Sequence, residues 1–245
     1  MRVPLDTIAA PLFPTHLPWL NGPTQSVLAR GRPMLVEFWD FARPNSLRTL
    51  PYLKAWDERY RPSGLRVIGV HSPGFEISRP QQAVQEALLR LGISYPVLVD
   101  SDLEVWKEYE NEGWPARYLF DGRARLFEYH YGEGAYQETE LAIQELLGVS
   151  RALLEPLRTE DAPGARLHPQ TEDQPGPYSG RYEAGGVWGV FDGTGVVRVN
   201  GTELEVHHSG AQPLIEHERH TEGFMELELG RGVSCLATCF TPGVL

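Results

Sequence analysis

The sequence predicts an α/β domain, with a mixed sheet flanked by helices, followed by a small all-β sandwich-like domain. Two observations support this prediction. Up to about residue 150, short apolar runs alternate with segments of helical periodicity, which is the pattern of an α/β sheet. Beyond about residue 178, short strand-like runs are separated by glycine-containing turns, as in antiparallel sandwiches and barrels. The predicted organisation is a domain at 1–150, a linker at 151–178 and a second domain at 179–245.

The first predicted domain alternates strands and helices. Its apolar runs predict strands at Met34–Trp39, Leu65–Val70, Pro96–Val99, Ala116–Phe120 and Arg125–Tyr131. Apolar residues recurring every three or four positions predict helices at about Leu47–Tyr60, Val84–Leu91, Leu103–Tyr109 and Tyr136–Leu147. Pro51 should kink the first helix, and Gly148 should cap the last. The Asp121-Gly122 pair should join the last two strands as an antiparallel hairpin.

The second predicted domain follows a stretch rich in proline. Residues 155–178 hold five prolines and no sustained period, which is typical of a linker. Six short strands are predicted beyond it: Val187–Phe191, Gly195–Val199, Leu204–His208, Leu214–His217, Phe224–Leu229 and Val233–Phe240. Short strands at this spacing predict a compact antiparallel sheet structure.

Composition excludes several classes of function. The formal net charge is −11, and such a surface repels phosphate backbones, so no nucleic-acid partner is predicted. No apolar run approaches the roughly 20 residues that span a bilayer, and the N-terminus, Met1–Asp6, lacks the apolar core of a signal peptide. The two cysteines, Cys235 and Cys239, lie four apart on a predicted strand, about 13 Å, which is too far for an unstrained disulfide. Cysteines that do not form a disulfide predict a reducing, cytoplasmic location.

Four strings of the first domain resemble a known family in the family's own order. They are Pro33–Trp39, Leu47–Leu53, Gly64–His71 and Trp114–Leu119. Together they resemble the thioredoxin-like redoxin family, in its TlpA-like branch, and are most similar to the thioredoxin-like domain of DipZ-type proteins. The resemblance covers roughly residues 16–150 and implies a thioredoxin-like fold with thiol–disulfide chemistry. The C-terminal sandwich is also similar to the small β domain of DipZ-type proteins.

The redox motif of that family is degenerate in this chain. The family carries Cys-x-x-Cys at the start of the first helix, where this sequence has Asp40–Ser46; counting from both flanks places Arg43 and Ser46 at the two cysteines. Neither residue can attack a disulfide sulfur as a thiolate does. The leading hypothesis is therefore a non-redox binding or scaffold protein. The alternative is a redoxin-family oxidoreductase, thiol-disulfide or peroxide-related, acting by an unrecognised route.

The resemblance also assigns expectations to residues around the lost motif. Trp114-Pro115 matches the family's cis-proline loop, which with Pro44 would face an extended peptide or protein; the alternative is that Pro115 only sets the loop geometry. Glu37 matches a buried acid that assists proton transfer to the second cysteine, and without a thiol it is expected to be structural. His71 matches a position that lines the site region.

Three further possibilities remain open. Arg43 at the start of the first helix would favour an anion, unless it is an ordinary surface side chain or pairs with Asp40. The second domain is a candidate carbohydrate or partner module through Trp188 and Phe191, with burial in the core as the alternative for Trp188. A group of histidines, His207, His208, His217 and His220, invites a metal, but neighbouring strand residues point to opposite faces and no metal site is predicted. The sequence has no phosphate-binding loop, and no cofactor is predicted.

Overall fold

The structure is a computed structural model that describes residues 7–22 and 31–245. The N-terminal residues Met1–Asp6, in which no signal peptide is predicted, lie outside the described residues. The chain divides into two compact units. The first consists of Met1–Asp40 and Asn45–Glu155, and the second of Phe41–Pro44 and Pro156–Leu245. No helix among the described residues is long and apolar enough to cross a bilayer.

The described part of the first unit holds a six-stranded mixed sheet with helices. Its strands are β1 (Trp19–Leu20), β2 (Met34–Trp39), β3 (Arg66–His71), β4 (Val97–Val99), β5 (Ala116–Phe120) and β6 (Leu126–Tyr131). Its helices are α1 (Pro44–Tyr60), α2 (Gln81–Leu91), α3 (Glu104–Glu108) and α4 (Tyr136–Leu147). The five strands predicted from apolar runs lie within one residue of β2 to β6. Helices α1 and α2 begin three residues before their predicted starts because their first turns carry no apolar periodicity.

The strand order is β1-β4-β3-β2-β5-β6. Strands β2, β3 and β4 are parallel neighbours, while β1, β5 and β6 run antiparallel to their neighbours. The parallel pairs follow from crossover connections through α1 and α2. One face of the sheet forms a core around Phe38, Tyr118 and Val70. The carboxyl ends of β2 and β3 therefore lie side by side, next to the start of α1.

Helix α1 contains Pro51 and is continuous from Pro44 to Tyr60; the kink at Pro51 stays a prediction. One local prediction turns out differently in detail. The hairpin between β5 and β6 is antiparallel as predicted, but its turn is not a two-residue Asp-Gly turn. The Asp121 carboxylate accepts hydrogen bonds from the backbone N–H groups of Arg123 and Arg125 (2.8 and 2.9 Å), and Ala124 takes the left-handed conformation. An aspartate side chain thus organises a longer turn. Helix α4 ends at Gly148 in the left-handed conformation, which confirms the predicted cap.

The second unit consists of antiparallel sheets. Its strands are β7 (Leu167–His168), β8 (Gln174–Pro175), β9 (Gly180–Gly193), β10 (Gly195–Val199), β11 (Thr202–Val206), β12 (Gly210–Met225), β13 (Leu227–Leu229), β14 (Val233–Thr241) and β15 (Gly243–Val244). They pair in the orders β12-β9-β14-β8, β11-β10-β13 and β15-β7. A core around Phe191, Val187 and Met225 lies between the strands.

Two expectations for this unit need correction. The predicted linker 151–178 is not a plain tether, because β7 and β8 lie within it and pair with β15 and β14. Two-residue strands carry too little pattern to be recognised without their partners. The strands predicted at Leu214–His217 and Phe224–Leu229 have other bounds. Strand β12 contains the first and reaches Met225 of the second, with register irregularities between Pro213 and Ile215 and between Glu216 and Thr221. The rest of the second predicted strand forms β13.

Candidate functional site

The lost redox motif lies where β2 ends and α1 begins. Pro44 is the first residue of α1, a position that suits proline because its missing N–H has no helical partner there. Arg43 is half-buried and Pro44 is buried. The burial of Pro44 does not favour a ligand-facing role, and that role stays a prediction.

Ser46, at the second cysteine position, has a structural role. Its side chain is buried, and its Oγ accepts a hydrogen bond from the backbone N–H of Asp40 (3.2 Å). This bond ties the first turn of α1 to the residue that follows β2. A hydroxyl buried in this way lacks the exposure that a nucleophile needs.

A polar network extends from the end of β2. Asp40 and His71 are both fully buried, with Oδ1 and Nε2 separated by 3.6 Å, and the other Asp40 oxygen accepts from the Gly74 N–H (2.7 Å). Ser72 follows His71 and donates its hydroxyl to Asp100 (3.0 Å). Asp40 and His71 could be singled out from the sequence, whereas Ser72 and Asp100 could not, because these contacts join segments that are distant in the sequence.

The loop at Trp114 is attached to the same network. The Trp114–Pro115 peptide bond is cis, the conformation that the sequence resemblance implies. The indole Nε1–H of Trp114 donates to the Ser72 carbonyl (2.8 Å), and its ring lies 4.2 Å from the Trp106 ring at 35°. Trp114 and Trp106 are half-buried, whereas Pro115 is buried. Of the predicted ligand-facing residues, only Trp114 offers partly exposed surface, and Trp106, which no sequence motif indicated, adds to it.

Glu37 is a buried acid, as expected, in the middle of β2. It lies opposite Arg117 of β5, and no hydrogen-bond partner among the described residues reaches either carboxylate oxygen. Burial raises the pKa of Glu37 to about 8, although the nearby Arg117 charge acts in the opposite direction. Glu37 is thus mostly protonated at neutral pH.

The two cysteines lie elsewhere, on β14 of the second unit. Both are buried and not joined by a disulfide. Burial raises the pKa of both thiols above the ordinary value, and the Cys235 thiol donates to the Ala237 carbonyl (3.2 Å). Neither has the exposed, low-pKa environment of a reactive cysteine. In the same unit Phe191 is fully buried while Trp188 is half-buried, so Phe191 cannot contact a carbohydrate.

Comparison with known proteins places the first unit among thioredoxin-like proteins. No protein-family model matches the chain. Protein DipZ of Mycobacterium tuberculosis is 35% identical over an alignment of 163 residues that covers 62% of this chain and 24% of DipZ. The chain thus spans about a quarter of the length of that relative. Thiol-disulfide oxidoreductase YkuV of Bacillus subtilis is 28% identical over 130 residues, which are 53% of this chain and 87% of YkuV.

Two solved structures share the fold of the first unit. The solution structure of a thioredoxin-like protein in its oxidised form has a TM-score of 0.51 and 27% identity, covering 57% of this chain and 95% of that one. A thiol-disulfide isomerase from Corynebacterium glutamicum has a TM-score of 0.51 and 25% identity, covering 58% and 98%. With the sheet order of the first unit, these similarities show that it has the thioredoxin-like fold and is similar to thiol–disulfide proteins of the redoxin type.

Proposed function

We propose that this chain is a non-redox binding or scaffold protein that holds an extended peptide segment beside Trp114. One observation carries the proposal: Arg43 and Ser46 occupy the positions of the two thiols, and Ser46 is buried in a backbone hydrogen bond. Thiol–disulfide exchange needs a thiolate to attack and a second thiol to resolve the mixed disulfide. An arginine and a bonded hydroxyl supply neither, and Cys235 and Cys239 are buried thiols of raised pKa.

The surface near Trp114 supports binding. Trp106 and Trp114 form a half-buried indole pair, and partly exposed aromatic rings are common anchors in protein interfaces. Between them the chain exposes three acidic side chains, Glu108, Glu110 and Glu112. This combination favours a peptide with an apolar side chain for the indoles and flanking lysine or arginine residues for the carboxylates. Nucleic acid and membrane surfaces, both anionic, do not suit it.

Insulin reduction with dithiothreitol separates this proposal from its alternative, a redoxin-family oxidoreductase. The chain is expected to give the uncatalysed rate, while an active thioredoxin gives a clear acceleration. Turnover above the uncatalysed rate would contradict the proposal, and its loss in a Cys235→Ser or Cys239→Ser variant would identify the thiol responsible.

Peptide binding needs its own measurement. Fluorescence polarisation of labelled hexapeptides with an apolar centre and lysine flanks is expected to show binding that Trp114→Ala weakens at least about 10-fold. Trp188→Ala, on β9 of the second unit, is the matched control and should leave affinity unchanged. Binding that both variants weaken equally, or no binding of any such peptide, would overturn the proposed surface.

We also propose a cytoplasmic location. Cys235 and Cys239 lie on one strand and are both unpaired, which suits a reducing compartment. Cell fractionation with an antibody against the chain tests this, and recovery outside the cytoplasm would contradict it.

A further inference from the structure

Three side chains of the second unit bring metal-binding atoms together. They are His168, Glu183 and His220, and one donor atom from each lies within 4.8 Å of the other two. The two imidazole rings have centroids 4.1 Å apart, and Nε2 of His220 lies 3.7 Å from a Glu183 carboxylate oxygen. Of the histidine group noted in the sequence, only His220 belongs to this cluster.

The fold assembles the cluster from three strands. His168 ends β7, Glu183 lies on β9, and His220 lies in the irregular part of β12 between Glu216 and Thr221. Gly243 of β15, which pairs with His168, makes the close approach possible. A Cβ at that position would lie 2.7 Å from the backbone nitrogen of His220, so a larger residue would push His220 away.

The hydrogen bonds leave the imidazole nitrogens available to a metal. Nδ1 of His168 lies 3.2 Å from the Pro169 carbonyl, and a carbonyl only accepts, so Nδ1 carries the proton and Nε2 carries the lone pair. Metal-bound histidines typically have this arrangement, with the second nitrogen donating to a carbonyl. Glu183 is anchored at its backbone, where its N–H donates to Thr171 Oγ1 (2.9 Å).

His220 holds its imidazole in a buried place, with Nε2 facing the Glu183 carboxylate at 3.7 Å. Its side chain is only 8% exposed, and no hydrogen-bond partner within the described part of the chain reaches its buried Nδ1. A buried polar atom without a partner costs free energy. The other histidines of the sequence group are engaged elsewhere: His217 bonds to the Tyr182 hydroxyl (2.9 Å), and His208 lies 3.0 Å from the Ser209 carbonyl.

Space is available for the rest of a coordination sphere. His168 and Glu183 line a cleft of about 800 Å³, together with Tyr182, Glu222 and Phe224 among others. Four tetrahedral ligands at about 2.1 Å from zinc lie roughly 3.4 Å from one another. The donor atoms now lie up to 4.8 Å apart. Small side-chain rotations of half-exposed His168 and exposed Glu183 bring them to the shorter distance.

We propose that His168, Glu183 and His220 bind one divalent transition-metal ion of the zinc class, with water from the cleft completing the coordination. Two imidazoles and one carboxylate are a donor set that zinc takes in sites with an open position, and imidazole also suits cobalt, nickel and copper. Calcium and magnesium, which prefer oxygen ligands, are excluded by the two histidines.

Cobalt titration of the untagged full-length chain, stripped with a chelator, tests the site. We expect one equivalent of Co²⁺ to give the intense visible bands of four-coordinate cobalt, and Zn²⁺ to displace them. His168→Gln and Glu183→Gln should each weaken Co²⁺ binding by at least about 100-fold, because each removes a ligand. His207→Gln is the matched control, since His207 is exposed and lies 3.6 Å from Glu205 outside the cluster.

The variants separate a built site from an adventitious one. His220→Gln should also abolish the cobalt bands, and circular dichroism checks that this variant folds. If His220→Gln does not fold, the results for His168→Gln and Glu183→Gln decide. Binding only at millimolar metal, a spectrum of six-coordinate aqua cobalt, or equal weakening in His168→Gln and His207→Gln would overturn the proposal.

Discussion

Glu37 and Arg117 lie directly opposite each other on β2 and β5, and both side chains are almost completely buried. Their hydrogen-bonding groups are satisfied to different extents. Arg117 donates to the Gly134 carbonyl (2.6 Å) and lies against the rings of Trp56 and Tyr136. The Glu37 oxygens lack hydrogen-bond partners among the described residues, so burial dominates and raises the pKa of Glu37 to about 8.

The first prediction is a pH dependence of stability that comes from Glu37. Its folded pKa lies above the ordinary value of 4.5, so the unfolded chain releases the proton first. The stability contributed by the protonated form is complete below pH 4.5 and is lost as the pH rises toward 8. Over that window the free energy of unfolding should fall by up to about 1.4 kcal/mol per pH unit from this group alone.

Glu37→Gln isolates that contribution. Because glutamine does not ionise, the variant should be more stable than the parent by about 3 kcal/mol at pH 7, with a difference that grows from pH 5 to 8. Urea unfolding at several pH values measures it. Glu58→Gln, at an exposed position of α1, is the control and should give a flat difference. Parallel pH profiles for the parent and Glu37→Gln would contradict the prediction.

The second prediction concerns the lost motif. Arg43→Cys with Ser46→Cys should produce measurable insulin reduction, because the first thiol would lie at the N-terminal end of α1, where the helix dipole lowers its pKa. The second thiol would take the buried place of Ser46 and resolve the mixed disulfide. Each single variant should lack turnover. A folded double variant without activity would mean that the residues around positions 43 and 46 no longer support thiol–disulfide exchange.

Much of the first unit follows from the sequence because its signals are local. Strands β2 to β6 are apolar runs, and Gly148 ends α4 by its own backbone preference. The second unit was harder to predict. The irregularity in β12 depends on pairing with β9, which local periodicity does not encode, and β7 and β8 exist only through their partners.

The candidate sites divide in the same way. Burial of Glu37 could be predicted because it lies within an apolar run, and the loss of the thiols could be counted from the flanking motifs. The meeting of His168 with His220 could not be predicted, because the two residues are far apart in the sequence and Gly243 brings their strands together.

The third prediction tests packing beneath the site. A Cβ on Gly69 of β3 would lie 2.9 Å from Trp39 Nε1 and 3.0 Å from Val97 Cγ2, and both side chains are fully buried. Gly69→Ala should therefore destabilise the protein by about 1 to 3 kcal/mol through overpacking. Gly113→Ala is the matched control, since nothing lies within 4 Å of its added Cβ. Equal thermal midpoints for the two variants would show that the core at Gly69 yields easily.

The fourth prediction links Asp100 to the proposed peptide surface. The buried Asp100 carboxylate accepts from the backbone N–H groups of Val105 (3.0 Å) and Trp106 (2.9 Å) at the start of α3. It also accepts the Ser72 hydroxyl (3.0 Å). A helix of five residues has little stability of its own, so its position, and with it the Trp106 ring beside Trp114, depends on this carboxylate.

Asp100→Ala should remove all three acceptor contacts and leave buried donors unsatisfied, at a cost of about 2 to 4 kcal/mol in unfolding free energy. Because α3 would lose its anchor, the indole N–H signals of Trp106 and Trp114 should shift or broaden in NMR spectra, and affinity for the lysine-flanked peptides should fall.

Asp100→Asn keeps one acceptor oxygen, and its stability and peptide affinity should lie between those of the parent and Asp100→Ala. Asp102→Ala, two residues away and exposed, should match the parent in both readouts. A destabilised Asp100→Ala protein with unchanged indole signals would show that Trp106 is held by its core contacts with Phe38 rather than by the start of α3.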